Sequence, residues 1–222
     1  MTVKFNQYWI IDHEKAAGYG GFIINKYIPT LNQLGIHTVA GWTVIVGGYS
    51  EIIFEGVSND LDLLEKALRD EKYKSVHDEL QDYIKSYKTK VLVSTGKMET
   101  YSTNISKNTV KFNQMWDVIS SRKSDYEKYV LEMYYPCLEG LGIHVAGEWE
   151  VFIGDSPRTI CEGRFQESNG NKSLISNLCS DAFLRAQKKL KQFVYHYESR
   201  ILTFHIQKVL GYKTASYELI AN

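Results

Sequence analysis

Two histidines and two glutamates stand at matching places in the chain: His37 precedes Glu55 as His144 precedes Glu162. A histidine within reach of a carboxylate is the minimum equipment for proton transfer near neutral pH, with the imidazole as base and the carboxylate orienting it. Asn6 and Lys4, and their counterparts Asn113 and Lys111, are expected at the same sheet ends as these pairs. Each histidine also has a structural reading. It follows a predicted helix, where it can donate to the last carbonyls and favour the negative end of the dipole.

A second set lies on the strand after each histidine. Gly41, Thr43 and Ile45 in the first half become Glu148, Glu150 and Phe152 in the second. Alternation puts Trp42 and Val44, like Trp149 and Val151, on the face packed against helices. The opposite row then faces outward from the helices, carrying two carboxylates in one half only. Thr43, Glu148 and Glu150 join Asn6 and Asn113 as expected ligand-binding residues. The chain has no Gly-rich phosphate loop, nucleophile elbow or His-Glu-x-x-His spacing.

These residues match because the chain repeats itself. Leu34-Gly35-Ile36-His37 with Trp42, Val44 and Gly56 returns as Leu141-Gly142-Ile143-His144 with Trp149, Val151 and Gly163, at a constant offset of about 107 positions. Val3-Lys4-Phe5-Asn6-Gln7 likewise returns as Val110-Lys111-Phe112-Asn113-Gln114. Each half reads strand, helix, strand, strand, helix, strand. The predicted strands are 3–11, 38–46, 51–55 and 91–93 in the first half, the first of them half-buried. The predicted helices are 14–34, kinked at Pro29, and 61–87, broken near Asp70. Pro136 matches Pro29. The second half carries about three extra residues in the 166–172 loop, and its last strand is 201–203. That order predicts an α+β protein of two tandem ferredoxin-like domains, 1–95 and 110–205, with a linker at 96–109 and a C-terminal extension at 206–222. A sheet covered on one face leaves the other bare, so the two are expected to form a pseudo-dimeric α/β barrel enclosing a lumen.

Composition narrows the partners. Lys+Arg and Asp+Glu are 26 each, which gives no basic field for nucleic acid. Cys137, Cys161 and Cys179 have no cysteine counterparts in the first half, which argues against a disulfide framework or metal site and for a reducing compartment. With no signal-like start and no long apolar run, the expectation is a cytoplasmic protein without membrane contact, whose pseudo-dimers could assemble into a homo-oligomer.

Gly41-Trp42 entering a strand, Gly47 in the turn, Glu51-Ile52-Ile53 after it, Asp70 and Tyr73 in a Leu-rich helix and a closing Val91-Leu92 resemble the NIPSNAP-like branch of the dimeric α/β-barrel superfamily. The resemblance covers nearly all of the first half and is thinner in the second. It implies a lumen that binds a small, partly apolar molecule, in a protein of unknown activity. The alternative is a cofactor-independent monooxygenase or isomerase using the His–carboxylate pairs. No cofactor is predicted from the residues. The superfamily also holds small haem-degrading monooxygenases, which use an Asn on the first strand and a His ligand ten residues after a Trp. Asn6 and His77 stand at the places this implies, but Ala67 replaces the Trp and Gln187 is the repeat mate of His77.

Overall fold

The computed structural model describes residues 2–48, 50–98, 101–166, 173–210 and 215–220. The chain divides into two compact units, one of residues 1–93, 152–154 and 203–222, the other of 94–151 and 155–202. The C-terminal segment thus belongs with the first unit and the linker with the second. Among the described residues no helix is long and apolar enough to cross a membrane.

The first unit runs β1 (Val3–Ile11), a helical stretch from Tyr19 to Gln33, β2 (His37–Val46), β3 (Glu51–Ser58), helices Leu61–Arg69 and Glu71–Gln81, and β4 (Ile84–Ser94). β1 lies between β3 and β4, and β2 flanks β3, all antiparallel. The second unit repeats this with β5 (Thr109–Val118), a helical stretch from Lys123 to Gly140, β6 (Ile143–Ile153), β7 (Thr159–Gln166), helices Leu174–Leu178 and Asp181–Leu190, and the start of β8 (Val194–Leu210). Its pairings match those of the first. β4 and β8 are far longer than the three-residue strands expected. Asp70 breaks the second helix of the first unit because its carboxylate accepts the Lys72 N–H at 2.8 Å and caps a new start. The three-residue insertion expected at 166–172 lies outside the described residues, apart from Gln166.

The first helical stretch begins later than predicted, at Tyr19 rather than residue 14, and Pro29 and Pro136 do not break the two stretches. Each proline is preceded by one wide π turn, Ile23–Tyr27 and Val130–Tyr134. A proline removes one backbone donor and crowds the turn before it, and a π turn accommodates both. It also sets side-chain phase. Eight residues of regular α-helix overshoot two turns by about 80°, yet Tyr19 and Tyr27 reach adjacent inward residues of β1. Trp9 Nε1 donates to the Tyr19 hydroxyl at 3.0 Å, and Tyr27 donates to Gln7 Oε1 at 2.5 Å. Trp116–Tyr126 and Tyr134–Gln114 repeat this across the second π turn.

β1 is buried on both faces rather than half-buried. Val3, Phe5 and Trp9 enter the core against the helices, which leaves Lys4, Asn6 and Tyr8 on the other face.

The facing of β2 and β6 is the reverse of the alternation expected. Ile36 and Ile143 point to the helices, but a bulge between Thr38 and Ala40, and another between Val145 and Gly147, shifts register by one residue. Such a slip exchanges the two faces from that point on. Trp42 therefore points away from the helices, its Nε1 donating to Glu55 Oε2 at 2.9 Å. Gly41, Thr43, Glu148 and Glu150, expected on the opposite side, lie on the helix-facing row.

β8 continues past the second unit's sheet into the first unit, where Ile206 to Leu210 pair with β9 (Ala215–Leu219). Ile206 is fully buried in the first unit's core. A Cβ on Gly41 would meet its Cβ and Cδ1 at 3.1 Å, and one on Gly20 would meet Leu219 at the same distance. Tyr217 donates to the Thr38 carbonyl at 3.2 Å and accepts from Asn32 Nδ2 at 3.3 Å. The extension is thus part of the first unit's packing.

Candidate functional site

The expected His–carboxylate pairs are not assembled. His37 is exposed at the start of β2, opposite Val57, whereas Glu55 is fully buried. His144 is exposed too, and its Nδ1 lies 3.1 Å from Oε1 of Glu139, at the end of the preceding helix, not near Glu162. The same Glu139 oxygen accepts the Val145 N–H at 2.7 Å. Glu139 thus joins helix end to strand start, and the contact of His144 is to that side chain rather than to the last helix carbonyls.

Glu55 and Glu162 serve instead in buried ion pairs. Lys4 Nζ lies 3.0 Å from Glu55, and Lys111 Nζ lies 3.0 Å from Glu162, with all four side chains at most 1% exposed. Arg164 adds two hydrogen bonds to Glu162, at 3.0 and 2.9 Å. Aromatic residues cover each cluster: Phe204 stacks on Trp42 at 4.3 Å, and Tyr101 meets Trp149 edge-on at 5.0 Å. Asn6 and Asn113 are buried beside these pairs, and the Oδ1 of each has no hydrogen-bond partner among the described residues. Removing one partner of such a pair costs about 3–5 kcal/mol, because it strands the other charge in the interior.

The residues do not fit a haem. His77 packs on the helix side of the sheet between Tyr73 and Tyr87, at 5.7 and 4.5 Å, and burial lowers its pKa. Asn6 lies on the far face of β1, with the sheet between them.

The sequence-predicted residues that do share a cleft are Glu148 and Glu150. The cleft encloses about 430 Å³ on the helix side of β6 in the second unit. Glu148 forms its floor and is 2% exposed. Its Oε2 accepts the Tyr126 hydroxyl at 2.5 Å and the Tyr135 hydroxyl, and its Oε1 pairs with Lys97. Trp116 Nε1 steadies Tyr126 from behind. Burial, reinforced by the Glu148 charge, pushes the Tyr126 phenol well above its ordinary range, so it stays protonated as a donor. Burial does the same to Tyr135, with Cys161 and then Glu148 adding to it.

Asp117 forms another part of the wall. It accepts from Ser156 Oγ and the Arg158 N–H (2.7 Å), and His196 Nδ1 lies 3.0 Å away. Burial raises its pKa, but these contacts together outweigh that and hold it below the usual value. Exposed Glu150 and Arg158, with Lys123, line the cleft as well. The lining is mostly polar, unlike the partly apolar site expected. Lys97 lay in what read as a plain polar linker, and nothing in the sequence tied His196 to Asp117. Tyr126 alone carried a signal, as the repeat mate of Tyr19.

No family model matches the chain, and no curated protein matches it either. Solved structures do. A candidate monooxygenase from Lactobacillus acidophilus matches with a TM-score of 0.60 at 8% identity, over 99% of this chain and 99% of its own. A candidate monooxygenase from Fusobacterium nucleatum matches with a TM-score of 0.63 at 7% identity, over 98% and 95%. A NIPSNAP family protein from Agrobacterium tumefaciens matches over 43% of this chain and 95% of its own, at 16% identity and a TM-score of 0.36. The two whole-chain matches bear on fold alone, and at that level agree with the α/β-barrel resemblance read from the sequence.

Proposed function

We propose that the chain binds a small polar molecule in the cleft of the second unit, anchored at Glu148. The observation that carries this reading is a nearly inaccessible carboxylate at the floor of an open cleft, its orientation fixed by two phenols before any ligand arrives. The volume suits a ligand of metabolite size. We read the two units as tandem ferredoxin-like copies, with this cleft in the second. A thermal-shift screen of polar metabolites, repeated with the exposed rim variants Arg158→Ala and Glu150→Ala, tests the reading. Stabilisation that either variant reduces supports it. No stabilising compound, or stabilisation indifferent to both changes, overturns it.

A second reading, an oxygenase or isomerase, is favoured by the whole-chain likeness to two candidate monooxygenases. In this chain the proton-handling pair of such an enzyme is Tyr126 with Glu148, rather than His37 or His144. Oxygen uptake or isomerisation of a compound from the screen, lost in Tyr126→Phe while binding persists, supports it. Binding without turnover of any such compound leaves the first reading standing alone.

A further inference from the structure

We infer that the ligand of this cleft is a primary amine, whose ammonium takes the place that the chain's own Lys97 holds at Glu148. The inference rests on the binding reading above and names its chemical class. The two oxygens of Glu148 have separate duties: both phenols donate to Oε2, and Oε1 takes an ammonium, here that of Lys97. The Lys97 Nζ also sits 5.5 Å from the centroid of the Tyr126 ring. A carboxylate oxygen beside an aromatic face is a recognition site for an alkylammonium, which gains from both charge and ring quadrupole.

The charges around the cleft favour the same class. Apart from Lys97, the lining carries Asp117, Glu127, Glu148 and Glu150 against Lys123 and Arg158, a surplus of two negative charges. An anion would meet that surplus and find the nearest ammonium already engaged by Glu148. The Lys97 side chain can leave while its backbone stays, held by Thr95, which donates twice to the Glu148 carbonyl (3.1 and 3.2 Å), and by Met98 on the second unit's core. Lys97 follows the end of β4 in a segment without regular structure, next to Gly96 at φ +76°, where nothing lies within 4 Å of a would-be Cβ. Its withdrawal disturbs no strand pairing.

The first unit lacks the same site. Gly41 stands in place of Glu148, Gly20 in place of Glu127, and Ile206 and Leu219 occupy the space those glycines free. The expected stoichiometry is therefore one amine per chain.

Isothermal titration of the full chain with 1,4-diaminobutane tests this, with 1,4-butanediol and succinate as the neutral and anionic counterparts. The diamine is expected to bind at one per chain and the diol not at all. A tethered side chain competes at an effective concentration in the millimolar range, so Lys97→Ala should tighten diamine binding by about tenfold. Glu148→Gln should abolish it. Lys97→Ala takes the ammonium from Glu148 and so costs stability, but leaves both phenol donors in place; it, or Lys97→Gln should the alanine variant not fold, decides the question even if Glu148→Gln does not fold. Diamine binding that Lys97→Ala weakens or leaves unchanged, or that a folded Glu148→Gln retains, overturns the inference. Succinate binding lost in Lys97→Ala overturns the amine class but keeps the cleft as a binding site. If neither the wild type nor Lys97→Ala binds any of the three, the inference falls, and the metabolite screen then decides separately whether the cleft binds at all.

Discussion

Replacing Ile206 by Ala tests whether the C-terminal segment is part of the first unit's core. Ile206 is fully buried and its Cβ, Cδ1 and Cγ1 stand 3.1, 3.1 and 3.3 Å from the position of a Cβ on Gly41. Truncating a buried isoleucine costs about 2–5 kcal/mol, and full burial puts this site near 3–4 kcal/mol. For a chain of this size that corresponds to a melting temperature lower by roughly 10 °C. Gly41→Ala alone forces a methyl group against those three atoms and should cost about 1–3 kcal/mol. In the Ile206→Ala background two of the three are gone, and the added methyl fills part of the space they leave. The double variant should therefore be more stable than the sum of the single losses by at least ~1 kcal/mol. Urea denaturation followed by tryptophan fluorescence reads this, since Trp9 and Trp42 are both buried in the same unit. Strict additivity would refute the claim that Ile206 packs into the space Gly41 leaves open.

Other outcomes follow from single groups. His205 is 9% exposed, its Nε2 has no hydrogen-bond partner among the described residues, and burial lowers its pKa to about 4. The unfolded chain protonates this imidazole near pH 6.5 and the folded chain only near 4, so its stabilising effect is present above pH 6.5 and is lost as pH falls to 4. The loss is on the order of 3 kcal/mol, and urea midpoints against pH should show a shallower acid limb in His205→Gln. Tyr126→Phe and Tyr135→Phe each remove a hydrogen bond to a buried carboxylate and should cost about 1.5–3 kcal/mol by thermal denaturation; a loss under ~0.5 kcal/mol for both would mean that Glu148 does not depend on them. Asp70→Ala removes a helix cap and should cost about 1 kcal/mol, with no gain in helicity by circular dichroism.

The element order of both units was legible in the sequence because the repeat doubles every signal and the turn glycines punctuate it. Glu55 and Glu162 read as carboxylates orienting a histidine, but they pair with Lys4 and Lys111 within a buried face, with Asn6 and Asn113 beside them. The facing of β2 and β6 was not legible, because a one-residue bulge leaves no mark in an alternating pattern and yet inverts everything after it. Glu148 was noticed for its asymmetry and placed on the wrong side for that reason. Lys97 and Ile206 escaped because each acts far from its sequence neighbours, on a sheet that the pattern assigned to the other repeat.

The π turns before Pro29 and Pro136 have a consequence for insertions and deletions. Each holds a surplus residue that lets tyrosines eight positions apart grip the same strand, at Trp9 and Gln7 in one unit and at Trp116 and Gln114 in the other. Deleting one residue from Ile23–Tyr27 would leave the tyrosines seven positions apart in an ordinary helix, about 20° short of two turns, so both grips would survive, whereas straightening the helix at its present length would swing one tyrosine about 80° away. What looks like an irregularity is thus what lets each unit carry an extra residue without losing either tyrosine's hold on the strand.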